Sequence, residues 1–241
     1  MFDGLSIKSI IFALLGGVLP TIVWLRFWFK SEDQESKEPI GMIALMFVGG
    51  MITVLLAIPA ETFIAEWIYN ITHVVISAAA IEEILKFSII FLIAFSPKFI
   101  DEPTDYALFL ITGGLGFAAL ENTLFLLEPI TNKDVAVSLL TGNLRFLGAT
   151  VLHTVASASA GIALGLAFYQ SKLSKIIHGF FGLCTAITLH ALFNYLILQS
   201  TVQNTVIMFA TLWVSAVLLL LMFEKLKNLQ PIHKQHKTPH I

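Results

Sequence analysis

Long apolar runs alternate with short polar breaks along the whole chain. Mainly hydrophobic stretches occupy roughly residues 7–28, 40–60, 72–95, 105–127, 144–169, 175–199 and 203–223. Each exceeds the about 20 residues that a helix needs to cross a hydrocarbon core about 30 Å thick. The breaks are polar and proline-marked: a mixed-charge, mainly acidic run from Lys30 to Pro39, then Ser96-Pro97-Lys98 to Pro103, Glu128-Pro129 to Asp134, Gln170-Ser171-Lys172, and a few residues around Ser200 to Asn204. The pattern predicts an all-α fold, a polytopic transmembrane helix bundle of about seven spans. Residues 1–226 form a single integral membrane domain in this reading, and 227–241 a short basic, His-containing cytoplasmic tail without apolar period. The first run is longer than the roughly 7–15 apolar residues of a signal peptide, and no small-x-small cleavage pattern follows it, so it reads as a span. Residues 61–71, with Glu61, Glu66 and Trp67, suit a short interfacial helix that holds Trp67 at headgroup level.

Composition agrees with the pattern. Of the 241 residues, 57% are hydrophobic and 12% charged, against roughly 25% charged in soluble domains. A net charge of −2 gives no basic footprint, which excludes a nucleic-acid partner. The lone Cys184 excludes a disulfide framework and a thiolate zinc site. Basic residues are unevenly placed: ten of the 14 Lys and Arg, from Arg26 and Lys30 to Lys234 and Lys237, fall on the side shared with the C-terminus. Lys8, Lys133 and Arg145 fall on the other side, and Lys86 lies within a span. The positive-inside rule then puts the C-terminus in the cytoplasm and the N-terminus outside.

Four charges interrupt the apolar runs: Glu82, Glu83 and Lys86 in the third span and Glu121 in the fourth. Each costs about 2.5–3.5 kcal/mol at a helix centre on insertion scales, so the group must face a protein interior or a wet cavity. Lys86 lies one helical turn from both Glu82 and Glu83 and can pair closely with only one of them at a time. The two carboxylates are therefore inequivalent, a condition that suits general acid–base chemistry. A structural ion pair or an ion pathway would use the same residues.

Other polar groups lie on the following spans. Glu121-Asn122 follows Gly113-Gly114-Leu115-Gly116-Phe117; His153 opens a small-residue stretch containing Gly161 and Gly165; His190 and Asn194 share a face one turn apart. The small residues suit close helix approach. Counted from the outer ends of their spans, Glu83 is about 16 Å deep, Glu121 about 9 Å, His153 and His190 about 13 Å, and Asn194 about 8 Å. Antiparallel spans thus deliver their polar groups to one layer, as a single outward-opening site requires.

Glu82-Glu83-Ile-Leu-Lys86, then Gly116-Phe117-Ala-Ala-Leu-Glu121-Asn122, His153, and His190-Ala-Leu-Phe-Asn194 resemble in order the EExxK, GFxxxEN, isolated His and HxxxN motifs of the PrsW family of intramembrane proteases. The resemblance covers roughly residues 75–197, the motif-bearing core. It implies hydrolysis of a peptide bond in a membrane-anchored protein within a bacterial cell membrane, with an extracytoplasmic first cut in an anti-sigma factor as the family's best-known task. The related CAAX-prenyl and bacteriocin-processing proteases carry EExxxR and FxxxH instead, which argues against a prenylated substrate here. The implied catalytic set is Glu82, Glu83, Glu121, His153, His190 and Asn194, supported by Lys86 and Asn122. Glu82 or Glu83 would act as base on a water held by a histidine, Asn194 would stabilise the oxyanion, and Glu121 would orient a histidine or serve as a second acid. Metal-free hydrolysis is one route. The other is a zinc ion on Glu83, His153 and His190, although the chain has no HExxH helix. The alternative function class is a proton- or cation-coupled transporter using the same carboxylates.

Overall fold

The computed structural model describes residues 6–30, 38–94, 99–199 and 201–229, and among these there is no strand. Eight α-helices follow one another: α1 (Ile7–Lys30), α2 (Ile40–Ala65), α3 (Ile71–Ala94), α4 (Asp105–Thr131), α5 (Val135–Leu144), α6 (Thr150–Leu166), α7 (Lys172–Leu198) and α8 (Val202–Lys227). A π-helical turn, Arg145–Ala149, joins α5 to α6 into one rod. Among the described residues six rods are long and apolar enough to cross a membrane, counting Val135–Leu166 as one. The seventh, α3, has 24 residues, about 36 Å, and is set apart from the six by its three charges, Glu82, Glu83 and Lys86. This is the all-α, multi-pass membrane bundle that the hydropathy pattern predicts. The acidic segment 31–37, the Ser96-Pro97-Lys98 break and the tail from residue 230 onward lie outside the described residues.

Boundaries differ where capping decides them. The fifth rod starts at Val135, not near 144, because Asp134 caps α5 by accepting from the Val137 N–H at 3.0 Å. Lys133, at φ 57°, reverses the chain just before it. Helix α4 runs on to Thr131 with Pro129 in its final turn. No separate interfacial helix forms over 61–71: α2 continues to Ala65, and α3 begins after Asn70, whose Oδ1 accepts from the Thr72 N–H at 2.9 Å.

Helix α4 is the axis of the bundle, with 72% of its apolar window buried against 17% for α1 and 22% for α8. It packs on α1, α2 and α6, while α3 lies between α2 and α7. Ala107 to Ala119 of α4 is buried without a break. Backbones meet closely here: a Cβ on Gly50 would overlap the Gly113 carbonyl, and one on Gly116 the Phe47 carbonyl. Small residues at such crossings are how membrane helices approach, since lipid offers no hydrophobic drive for their association. The outer helices expose Phe12, Leu19, Val23, Val214, Leu218 and Leu221, among others, an apolar surface suited to lipid rather than water.

Packing this tight predicts an asymmetric response to small insertions. Gly116→Ala should lower stability in detergent by about 1–3 kcal/mol through overpacking. Gly41→Ala, where nothing lies within 4 Å of the added carbon, should stay within about 0.5 kcal/mol of the parent. Thermal unfolding of the purified protein followed by size exclusion distinguishes the two.

Candidate active site

The polar residues of α3, α4, α6 and α7 converge on one cluster. Lys86, 1% exposed, is its centre. Its ammonium Nζ donates to Glu83 Oε1 at 2.5 Å and to His153 Nδ1 at 3.0 Å, and lies 3.8 Å from Glu82 Oε2. The Phe117 ring, its centroid 4.2 Å from Nζ, offers its π face to the same cation. Glu83 Oε1 also accepts from His190 Nδ1 at 2.7 Å. His153 and His190 stand edge to face, ring centroids 5.1 Å apart.

Hydrogen bonding assigns the tautomers. An ammonium only donates, so His153 Nδ1 accepts from Lys86 and its Nε2–H donates to Glu121 Oε2 at 2.9 Å. His190 uses Nδ1–H on Glu83, which leaves Nε2 facing Glu82 Oε2 across 3.8 Å. That Glu82 oxygen is buried and has no hydrogen-bond partner among the described residues.

Two side chains acquire roles that motif spacing does not assign. Arg145, at the edge of a predicted span, pairs with Glu121 and donates through Nε to Asn122 Oδ1 at 2.5 Å. Asn122 in turn donates to Thr150 Oγ1 at 2.9 Å, so it braces Arg145 and belongs to the packing behind the site. Residues eight apart on a regular α-helix differ by about 80° in direction. The π turn between Arg145 and His153 is wider than an α turn and reduces that offset, and both residues reach the same oxygen of Glu121. Sequence spacing carries no sign of this inserted turn.

A cleft of about 710 Å³, open at one face, leads to the cluster. Glu82, Glu121, His153, His190 and Asn194 line it; Glu83 and Lys86 sit beneath its lining. Its walls are the C-terminal parts of α2, α4 and α7 and the N-terminal parts of α3 and α6, so it opens on the face that carries the α2–α3 and α4–α5 connections. Asn194 is half-buried one turn beyond His190, apart from the hydrogen-bonded cluster. All six proposed catalytic residues therefore border one cavity or touch its floor.

The donor set suits a divalent cation. Glu82, Glu83, His153 and His190 each offer an atom within 4.8 Å of the others, all buried. Imidazole nitrogen and carboxylate oxygen without thiolate are ligands for zinc and similar ions. The unpartnered Glu82 Oε2 beside His190 Nε2 is the point where such an ion fits best. Lys86 shares the other two ligands, Glu83 and His153.

Comparison with known proteins agrees with this chemistry. The model of a family described as PrsW family intramembrane metalloprotease matches residues 38–222. A curated relative, "Protease PrsW" of Geobacillus kaustophilus (strain HTA426), is 28% identical over 130 residues, covering 52% of this chain and 56% of that protein. The match thus spans about half the length of that relative. No solved structure matches the chain.

Removing one partner of a buried ion pair leaves a charge uncompensated. Lys86→Met should destabilise the bundle by about 3–5 kcal/mol. Adding Glu83→Gln should recover a substantial part of that loss. A double-mutant cycle on thermal stability in detergent measures the coupling, and strictly additive effects would rule out the pair as a structural element.

Proposed function

The chain belongs to the PrsW family of intramembrane metalloproteases, and on that footing we propose that it is an intramembrane endopeptidase that hydrolyses a peptide bond of a membrane-anchored protein. The observation that carries the reading is Glu82: a carboxylate oxygen buried without a hydrogen-bond partner, at the wall of an open cleft, 3.8 Å from a histidine nitrogen. A substrate segment unwound into this cleft would bring its scissile carbonyl to that pair.

Roles follow from the contacts. Glu82 has the free oxygen and the cleft exposure that a general base needs; it takes the proton of the attacking water and returns it to the leaving amine. His190 holds that water from Nε2, its ring fixed by Glu83 through Nδ1. Lys86 keeps Glu83 in place and supplies positive charge beneath the reacting atoms. Glu121, held by Arg145, fixes the His153 ring from the other side. Asn194, one turn from His190 on the cleft wall, donates its amide to the oxyanion of the tetrahedral intermediate. A divalent ion held by Glu82, Glu83, His153 and His190 would supply Lewis acidity at the same point.

This assignment favours hydrolysis over an ion relay. The cleft ends at the cluster, and below it α4 from Ala107 to Gly116 is packed without exposure. The Lys/Arg asymmetry orients the cleft outward, with the N-terminus outside and the C-terminus cytoplasmic in a bacterial cell membrane. A single-span anti-sigma factor cut on its extracytoplasmic side is the substrate class that fits. The working unit is one integral membrane domain over residues 1–226, with 227–241 as its cytoplasmic tail.

Cleavage of a single-span substrate by purified protein in liposomes tests the reading. Glu82→Gln and His190→Ala should each lower kcat by about 10²–10⁴-fold, and Glu83→Gln should lower it too by releasing His190. Three folded variants that all cleave like the parent would sink the hydrolase. Metal dependence has its own measurement: the purified chain should carry about one divalent ion by elemental analysis, and Glu82→Gln with His190→Ala should abolish retention. Full proteolysis by metal-free protein would eliminate the ion.

A further inference from the structure

Glu61 has no part in the reaction above. It lies in α2 one turn before the helix ends at Ala65, half-buried, and lines the same cleft as Glu82. Trp67, 72% exposed, follows just beyond and marks the level of the membrane surface, where indole rings concentrate. Glu61 is therefore below that level, where an ionisable side chain signals a function unless a partner neutralises it. Among the described residues no hydrogen-bond donor or ion-pair partner holds its carboxylate.

Charge in the cleft is one-sided. Glu61, Glu82, Glu121 and Glu128 line it, against one guanidinium, Arg145, and the imidazoles of His153 and His190, which are engaged with Glu121 and Glu83. Arg145 is already bound to Glu121. Glu128, exposed in the last turns of α4, adds a second negative charge at the mouth. Deeper, the unpartnered Glu82 oxygen marks where the scissile bond must come to rest. Counted along their helices, Glu61 is about 6 Å and Glu82 about 16 Å from the helix ends on this face. The difference, about 10 Å, is about three residues of extended chain.

We propose that Glu61, with Glu128 at the mouth, forms a subsite for a basic side chain of the substrate. The Lys or Arg it receives lies about three residues from the scissile bond, toward the membrane surface. The site rests on the proteolytic reading and specifies its substrate class: a single-span protein whose segment just outside the membrane is cationic. The subsite selects by pairing a charge that lipid and the cleft walls cannot otherwise accommodate, so an acidic residue at that position is rejected by repulsion as well as by loss of contact.

The test uses the full chain in detergent, carrying Glu82→Gln so that binding proceeds without turnover. The probes are single-span reporter proteins identical except for Lys, Gln or Glu stepped along the first few positions beyond the span. At the best position the Lys reporter should bind about tenfold more tightly than the Glu reporter, from one partly desolvated charge pair. Adding Glu61→Lys should reverse that order. Glu66→Lys makes the same charge change on an exposed residue outside the cleft and should leave the order intact. The same reporters are then given to protein with Glu82 restored, and their relative cleavage rates should follow the binding order. Equal binding of all reporters, an order unchanged by Glu61→Lys, or a reversal by Glu66→Lys as well would overturn the subsite. Ordered binding with no cleavage of any reporter would overturn the hydrolase reading alone, so the two failures are distinguishable.

Discussion

An ammonium ion in the interior of a membrane bundle constrains everything around it. Lys86 is almost completely enclosed, and an unpaired cation there would be prohibitive. Its surroundings are arranged accordingly: Glu83 from its own helix, His153 from α6 and the Phe117 ring from α4 each meet it from a different direction. The connections extend outward from it. His153 joins Glu121 and Arg145, Glu83 joins His190, and the resulting chain of contacts ties α3, α4, the π turn, α6 and α7 together. A network of this kind is strong only when every member is satisfied, and the one oxygen left over, on Glu82, is where a ligand is expected.

Apolar packing makes that network possible. Side chains on four helices can touch only if their backbones come close, and the glycines of α2 and α4 remove the Cβ atoms that would keep them apart. The buried axis of α4 then acts as a rigid post. The histidine–carboxylate cluster sits towards its C-terminal half, while its N-terminal end carries a buried carboxylate of its own, Asp105. The lipid-facing helices α1 and α8 enclose the bundle and supply no residue to the cleft.

Much of this was legible in the sequence, for identifiable reasons. Hydropathy predicts the long rods because the membrane requires continuous apolar length. Glu82, Glu83, Lys86 and Glu121 stand out because ionisable groups inside such runs are costly, and His153, His190 and Asn194 are legible by depth and by their order. Three things were hidden. The distinct fates of Glu82 and Glu83 depend on which one the Lys86 and His190 contacts engage, and adjacent positions in a sequence do not say. Arg145 looked like a span-edge charge because the π turn that directs it inward leaves no mark in the spacing. Glu61 lay in a stretch too polar to read as a span end, although α2 in fact runs past it to Ala65.

The three charges of α3 also bear on how the protein is made. A segment carrying Glu82, Glu83 and Lys86 is a poor candidate for release into lipid by itself, yet two of the groups that accommodate these charges, His153 and His190, are translated later. The full set of contacts that accommodates these charges is therefore complete only once α7 has been synthesised. The polar cluster thus ties the accommodation of an early helix to helices that follow it in the chain.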